Sequence, residues 1–382
     1  MPEIAAENQI KVLVVDDSMF LRTALKRMLE ADAEIKVVGM AANGLKAIEQ
    51  VEALDPDVVT MDIEMPKMDG LAALKKIMEE NPRPVLMIST LTEAGASATI
   101  EALSIGAVDY IPKQIAQSSL DILRIQRELH TKIKAVAKRR RHPKPRAETP
   151  PRVRAHAPKV APRVVPPKTL PRAAVPKPAP RLKLTRVPPS DIRVVAIGTS
   201  TGGPKALQEI IPLLPANFPV GILIVQHMPP FFTKSLAARL DSLSKITVKE
   251  AETQEFVEPG KALIAPGGQH MTVVKRGTGG AIRLSDSPAN LNHIPSVDVA
   301  MLSIAEVYGR YAVGVILTGM GHDGLEGLTA IHQSKGLAFA QDEGTSVIYG
   351  MPRACIEKGI VDQILPLDRV ADTLVQLVQK GG

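Results

Sequence analysis

The chain has 382 residues, of which 45% are hydrophobic and 23% charged, with a formal net charge of +7. That length holds two or three domains with ample core, which excludes a wholly disordered protein. One cysteine, Cys355, excludes an intramolecular disulfide and fits a reducing compartment. Apolar runs such as Val220 to Val225 and Ala312 to Leu317 are far too short to span a bilayer, and Met1 to Ile10 carries acids instead of a basic, apolar leader. A soluble cytoplasmic protein is expected, not inserted in a membrane.

From about residue 8 to 137, strand-like and helix-like stretches alternate, which predicts a parallel, doubly wound α/β sheet. Strands are expected at Lys11 to Val15, Ile35 to Met40, Val58 to Met61, Pro84 to Ile88 and Val108 to Ile111, with helices such as Phe20 to Glu30 and Leu71 to Glu80 between them. Ligands gather at the carboxyl ends of strands in such sheets. Asp16, Asp17, Asp62, Ser89 and Lys113 all fall there. Three carboxylates in one crevice repel one another, and magnesium suits such a cluster of oxygens as the neutralising cation. A hydroxyl and an ammonium opposite them can grip the oxygens of a phosphoryl group placed on one carboxylate.

This ordered set resembles the receiver domain of two-component response regulators over its whole length. The resemblance implies that Asp62, in Met61-Asp62-Ile63-Glu64-Met65-Pro66, is the phosphoacceptor. It implies Mg2+ held by Asp16, Asp17, Asp62 and the Glu64 backbone carbonyl, with Ser89 and Lys113 on the phosphoryl oxygens. Tyr110 resembles the family's aromatic switch, which turns inward as Ser89 moves toward the phosphoryl group.

Residues 138 to 190 contain 16 Lys or Arg, one acid (Glu148) and 14 prolines, a net charge of +15 that leaves the rest of the chain at −8. With no long apolar run this stretch has nothing to bury, so a disordered, extended Pro/Arg-rich linker is expected. It contains no aromatic residue on which a nucleic-acid base could stack. The basic excess is read as a charge-swollen spacer in preference to a tract that attracts an anionic membrane surface or an acidic partner, and no nucleic-acid partner is expected.

Residues 191 to 382 repeat the α/β logic with a different sequence. Apolar runs at Ile192 to Ile197, Val220 to Val225 and Ala312 to Leu317 read as parallel central strands, and a helix is expected over Pro204 to Leu214. The first run leads into Gly198-Thr199-Ser200-Thr201-Gly202, a glycine-bracketed serine of the kind found at a nucleophile elbow. The second leads into Gln226-His227-Met228-Pro229 and the third into Thr318-Gly319-Met320-Gly321-His322-Asp323-Gly324. If the strands are neighbours, Ser200, His227 and Asp323 meet as nucleophile, base and orienting acid. The order Ser, His, Asp differs from the Ser, Asp, His of α/β-hydrolases, so the chemistry is retained and that fold disfavoured. His270, His293 and His322 occupy nearby loops; His227 is preferred over His322, because adjacent side chains such as His322 and Asp323 usually point apart. Cys355 reads as a small core filler on a helix over Arg353 to Lys358.

Receiver, linker and a domain bearing Gly-Thr-Ser-Thr-Gly-Gly-Pro, Gln-His-Met-Pro and Gly-Met-Gly-His-Asp-Gly together resemble the chemotaxis protein-glutamate methylesterases over essentially the whole chain. The resemblance implies two doubly wound parallel-sheet domains, a flavodoxin-like receiver (8 to 137) and a Rossmann-like catalytic domain (191 to 382). It implies Ser200, His227 and Asp323 as catalytic residues, Met320 and Thr201 as oxyanion donors, and no cofactor in the second domain. The implied substrates are methylated glutamates of chemoreceptors, with glutamine deamidation as a second reaction, and the implied phosphodonor is a chemotaxis sensor histidine kinase. Two alternatives stand beside it: a DNA-binding output domain, and a non-catalytic module that binds receptors. The first lacks a helix-turn-helix unit, and the second leaves the intact serine, histidine and aspartate unexplained.

Overall fold

A computed structural model describes residues 9–113, 119–141, 191–277 and 279–379. The first domain runs β1 (Ile10–Val15), α1 (Met19–Glu30), β2 (Ile35–Ala41), α2 (Gly44–Leu54), β3 (Val58–Asp62), α3 (Gly70–Glu80), β4 (Val85–Ser89), α4 (Glu93–Ile105), β5 (Asp109–Pro112) and α5 (Ser119–Arg141). Its five strands pair in the order β2-β1-β3-β4-β5, all parallel. β3 and β4 are buried throughout, as their unbroken apolar runs require when helices cover both faces. Ser18, Asn43, Asp69 and Thr92 each cap the helix they precede by accepting a backbone N–H, which fixes where α1 to α4 begin.

α5 continues to Arg141, four residues into the stretch read as linker; residues 142–190, which hold the rest of it, lie outside the described residues.

The second domain runs β6 (Val194–Thr199), α6 (Gly203–Ile210), β7 (Gly221–Gln226), α7 (Phe232–Leu243), β8 (Thr247–Glu250), β9 (Lys261–Ile264), β10 (His270–Arg276), β11 (Gly279–Ser285), α8 (Val297–Tyr308), β12 (Ala312–Ile316), α9 (Leu325–Gln333), β13 (Leu337–Gln341), α10 (Met351–Glu357), β14 (Gln363–Leu365) and α11 (Leu367–Gln379). Seven strands form a parallel sheet in the order β14-β13-β12-β6-β7-β9-β8, and β10 and β11 form a separate antiparallel hairpin. The three apolar runs are β6, β7 and β12, adjacent in the sheet. The helix expected to Leu214 ends at Ile210 and gives way to a 3-10 turn over Ile211–Leu213; Pro212 has no N–H to continue the α-helical ladder. Cys355 lies in α10, fully buried, and burial pushes its thiol up to about 12.

The chain starts at β6, winds outward on one side, then returns to β12 on the other. That reversal opens a crevice at the carboxyl ends of β6 and β12.

The domains meet through α4 and β5 of the first and α6 and α7 of the second. Tyr110 stacks on Phe232 with ring centroids 4.7 Å apart and planes 11° apart, and both rings are buried, so the two apolar cores are continuous there. The Ser104 hydroxyl donates to Gln208 (2.8 Å), and Lys234 pairs with Glu93 at 3.4 Å. Those last two residues are exposed, so the aromatic stack dominates the contact.

Candidate phosphoacceptor and active sites

In the first domain the β1/β3 reversal brings Asp16 and Asp17 beside Asp62, and the three carboxylates lie within 4.8 Å of one another. Lys113 Nζ sits 2.7 Å from Asp62 Oδ2 and 3.2 Å from Asp16 Oδ2. Burial raises the Asp62 carboxyl above its ordinary value and Asp16 adds to the shift, against the pull of Lys113. Burial alone lowers the Lys113 ammonium, but the carboxylates of Asp62 and Asp16 outweigh it and the group is raised. Asp16 Oδ2 is buried and meets only the Lys113 ammonium, and Asp17 is exposed at the mouth of the crevice. An all-oxygen set of three carboxylates offset by a single ammonium fits a hard divalent cation. Glu64 lies two residues beyond Asp62, in the exposed loop after β3.

Ser89 closes β4, on the strand next to Asp62, with its hydroxyl turned toward α4: it donates to the Gly95 carbonyl (3.1 Å) and accepts from Thr99 (2.7 Å). Tyr110, on the following strand, is 5% exposed and faces Phe232.

In the second domain, strand register does the assembly. β6 and β7 pair with Thr199 opposite Gln226, so the next residues, Ser200 and His227, leave neighbouring strands side by side. The Ser200 turn is tied down on the other flank by Thr318, just beyond β12. The Thr318 carbonyl accepts from Ser200 N (3.0 Å) and Thr199 Oγ1 (2.8 Å). Its hydroxyl donates to Thr201 O (2.9 Å) and accepts from Val347 N and Ile348 N. Gln226 holds the chain from the β7 side, its amide donating to the carbonyls of Ser200 (2.9 Å) and His227 (3.2 Å).

Two glycines make this crowding possible. Gly202 adopts φ +79°, a left-handed turn into α6 that a side chain would strain. A Cβ on Gly319 would stand 2.2 Å from Met351 Sδ and 2.9 Å from Ser200 Cβ.

His227 Nε2 lies 2.7 Å from Asp323 Oδ2, while Nδ1 is buried with no protein partner. Asp323 also accepts from Val297 N (2.7 Å) on Oδ2, and from Asp298 N (3.0 Å) and the Ser296 hydroxyl (2.9 Å) on Oδ1. Its carboxylate thus caps the amino terminus of α8, where helix N–H groups and the dipole favour negative charge. Burial works to raise the Asp323 carboxyl, but His227 and these donors overcome it and hold the group well below the ordinary carboxylate range. Met320 is half-buried and Thr201 buried, and among the described residues neither backbone N–H donates to a protein acceptor.

Of the competing histidines, His322 is exposed beside the inward Asp323. His293 stacks on His227, ring centroids 4.1 Å apart and planes 10° apart. His270 is fully buried behind the site, between Ser296 N and the Pro288 carbonyl. Thr318, Gln226 and Ser296 have supporting tasks that the sequence does not assign. Thr318 and Gln226 each open a recognised motif, the ones that carry Asp323 and His227, without a task of their own.

Residues 12–123 match the response regulator receiver domain, and residues 195–374 match the CheB methylesterase family. A protein-glutamate methylesterase/protein-glutamine glutaminase of Oleidesulfovibrio alaskensis is 50% identical over 97% of this chain and 100% of that protein. One from Pyrococcus abyssi is 46% identical over 98% of this chain and 95% of that protein. The solved catalytic domain of Thermotoga maritima CheB methylesterase is 46% identical over 49% of this chain and 100% of that one, with a TM-score of 0.48. The chain therefore belongs to the protein-glutamate methylesterase/protein-glutamine glutaminase family, in which a receiver domain precedes a CheB methylesterase domain.

Proposed function

We propose that this chain is a phosphorylation-activated hydrolase of chemotaxis adaptation. It removes methyl groups from glutamate γ-esters on cytoplasmic helices of chemoreceptors, releasing methanol, and deamidates receptor glutamines. The observation that carries this is that Ser200 and His227 each follow directly on the paired strand ends Thr199 and Gln226, with Asp323 bonded to His227, in a member of this family.

Asp323 accepts from His227 Nε2, so that nitrogen carries the proton and Nδ1 remains to take one from Ser200. The Ser200 oxygen then attacks the γ-carbonyl carbon, and Asp323 stabilises the imidazolium that forms. The N–H groups of Met320 and Thr201 are the donors for the oxyanion. Collapse of the tetrahedral adduct breaks the C–O bond to methanol, which leaves with the His227 proton; with a glutamine substrate ammonia leaves instead. Water, deprotonated by the same imidazole, attacks the acyl-serine and returns a free glutamate.

In the receiver, Asp62 is the phosphoacceptor, and Asp16, Asp17, Asp62 and the Glu64 carbonyl are the ligands for Mg2+, which supplies charge to offset the carboxylates and the phosphoryl group. The donor is a chemotaxis sensor histidine kinase, and the protein works in the cytoplasm. Among the described residues no helix is long and apolar enough to cross a membrane. In the unphosphorylated state the α4/β5 face rests on α6 and α7, the helices that begin just beyond Ser200 and His227. Phosphorylation moves Ser89 off α4 and Tyr110 off Phe232, shifting the population toward open forms by no more than the difference in contact energy.

Methanol release from a methylated receptor fragment, with and without a small-molecule phosphodonor, tests the proposal. Wild type is expected to accelerate with phosphodonor, and Ser200→Ala to lose methanol release while Asp62 still accepts phosphate. Persistent release from Ser200→Ala would move the nucleophile elsewhere.

A further inference from the structure

The orienting carboxylate is itself held by a dedicated structure. Asp323 follows a loop after β12 and has no strand partner to fix it. Its Oδ1 is gripped by the Ser296 hydroxyl (2.9 Å) and Asp298 N (3.0 Å), which leaves Oδ2 to Val297 N and His227 Nε2. Ser296 is only 3% exposed, and it is the N-cap of α8, where its Oγ also accepts from Val299 N. Its own N–H donates to Nδ1 of the fully buried His270, whose Nε2 faces the Pro288 carbonyl at 3.1 Å. With Nδ1 accepting, the ring proton lies on Nε2 and points at that carbonyl. One hydroxyl thus receives from the helix, donates to the catalytic carboxylate, and is anchored through its backbone to a buried imidazole.

We propose that Ser296, anchored by His270, is a positioning residue of the esterase reaction: it locks the Asp323 carboxylate in the one rotation that presents Oδ2 to His227. The proposal rests on the assignment of Ser200, His227 and Asp323 as the catalytic set. An N-cap needs only the bond to Val299 N. The second bond, to Asp323 Oδ1, adds nothing to the cap and acts on the carboxylate alone. Without it Asp323 keeps three donors but loses the one side-chain donor to Oδ1, leaving that oxygen to Asp298 N alone against rotation about a terminal torsion that is broad and weakly barred. The His227 tautomer is then fixed for a smaller fraction of the time, which reduces turnover without touching substrate binding.

The experiment is a double-mutant cycle on methanol release by the full-length, phosphodonor-treated protein. Ser296→Ala is expected to lower kcat about 10-fold, equivalent to about 1.4 kcal/mol, with KM within about twofold. In an Asp323→Asn background the same substitution should cost less than about twofold, because nothing is left to position. Leu302→Gly, on the same helix at an exposed site, controls for lost helix stability and should leave kcat unchanged. A kcat for Ser296→Ala within twofold of wild type, or an equal loss in both backgrounds, overturns the positioning role. An Asp323→Asn protein as fast as wild type instead overturns the catalytic set on which it rests.

Discussion

The two sites occupy equivalent places, the carboxyl edge of a parallel sheet where the winding reverses, yet they are built in opposite ways. At the receiver site three carboxylates crowd together, and the single ammonium of Lys113 is shared between two of them, Asp62 and Asp16. At the second site one carboxylate, Asp323, is satisfied by four donors, and the Ser200 turn is tied to Thr318 and Gln226 on either side. Carboxylate charge that one ammonium only partly offsets suits the cation and phosphoryl group proposed for this site. Saturated hydrogen bonding suits one that must offer the same geometry at every turnover, since preorganised dipoles cost no reorganisation during the reaction.

The contrast predicts which substitutions are severe. The largest effect is on rate: removing the Ser200 hydroxyl should lower methanol release by roughly 10⁴-fold or more, whereas Asp62→Asn should leave the basal rate within about twofold and remove only the response to phosphodonor. A basal rate that collapses in Asp62→Asn would mean that the acidic cluster holds the catalytic domain together. Next comes Thr318→Val, which keeps shape but strips a buried hydroxyl of one donated and two accepted bonds. Stranding those groups should cost about 2–3 kcal/mol. Thermal unfolding of the full chain should show the second domain melting earlier, and kcat should fall with it. An unchanged melting curve would place the support of the Ser200 turn elsewhere.

The same contrast explains how much was legible from sequence. Asp16, Asp62, Ser89 and Lys113 each sit at a strand end, so apolar runs followed by Asp, Ser or Lys locate the four together. β6, β7 and β12 were readable for the same reason, and their adjacency made the meeting of Ser200, His227 and Asp323 an inference from topology. The supporting shell was not. Ser296 precedes a helix some way along the chain from Asp323 and reaches it only because α8 points its amino terminus at the loop after β12. Short strands such as β8, β9 and β14 carry too few residues for a periodic signal. The partner of Tyr110 was hidden as well, because Phe232 reads as an ordinary core residue until the domains are brought together.

That aromatic pair gives a smaller effect. Tyr110→Leu keeps apolar volume on β5 but removes ring stacking, worth about 0.5–1.5 kcal/mol. The unphosphorylated protein should then release methanol about 2- to 10-fold faster, and the phosphorylated one should change less if phosphorylation opens this contact as proposed. If the basal rate does not rise, the contact between β5 and α7 is not what restrains the enzyme.

A smaller shift is expected at the one place where the second domain resembles the receiver. Asp298 sits beside Asp323 as Asp16 sits beside Asp62, but among the described residues no ammonium pairs with either as Lys113 does at the other site. Burial, reinforced by Asp323 and Glu326 and opposed by the Gly327 N–H, pushes the Asp298 carboxyl up to about 7. The sign of its contribution follows. Between about pH 4, where the unfolded chain gives up this proton, and about pH 7, where the folded one does, the native state binds more protons, so stability falls as pH rises. Above that window the full cost is present; below it there is none. Asp298→Asn retains an oxygen to accept from Gly327 N, bonded at 2.7 Å, and cannot ionise. It should therefore raise the melting temperature at pH 8, by about 2–4 °C for each kcal/mol relieved, and give no gain at pH 4. A variant no more stable than wild type at pH 8 would mean that the ionised carboxylate is already solvated or offset in the folded protein.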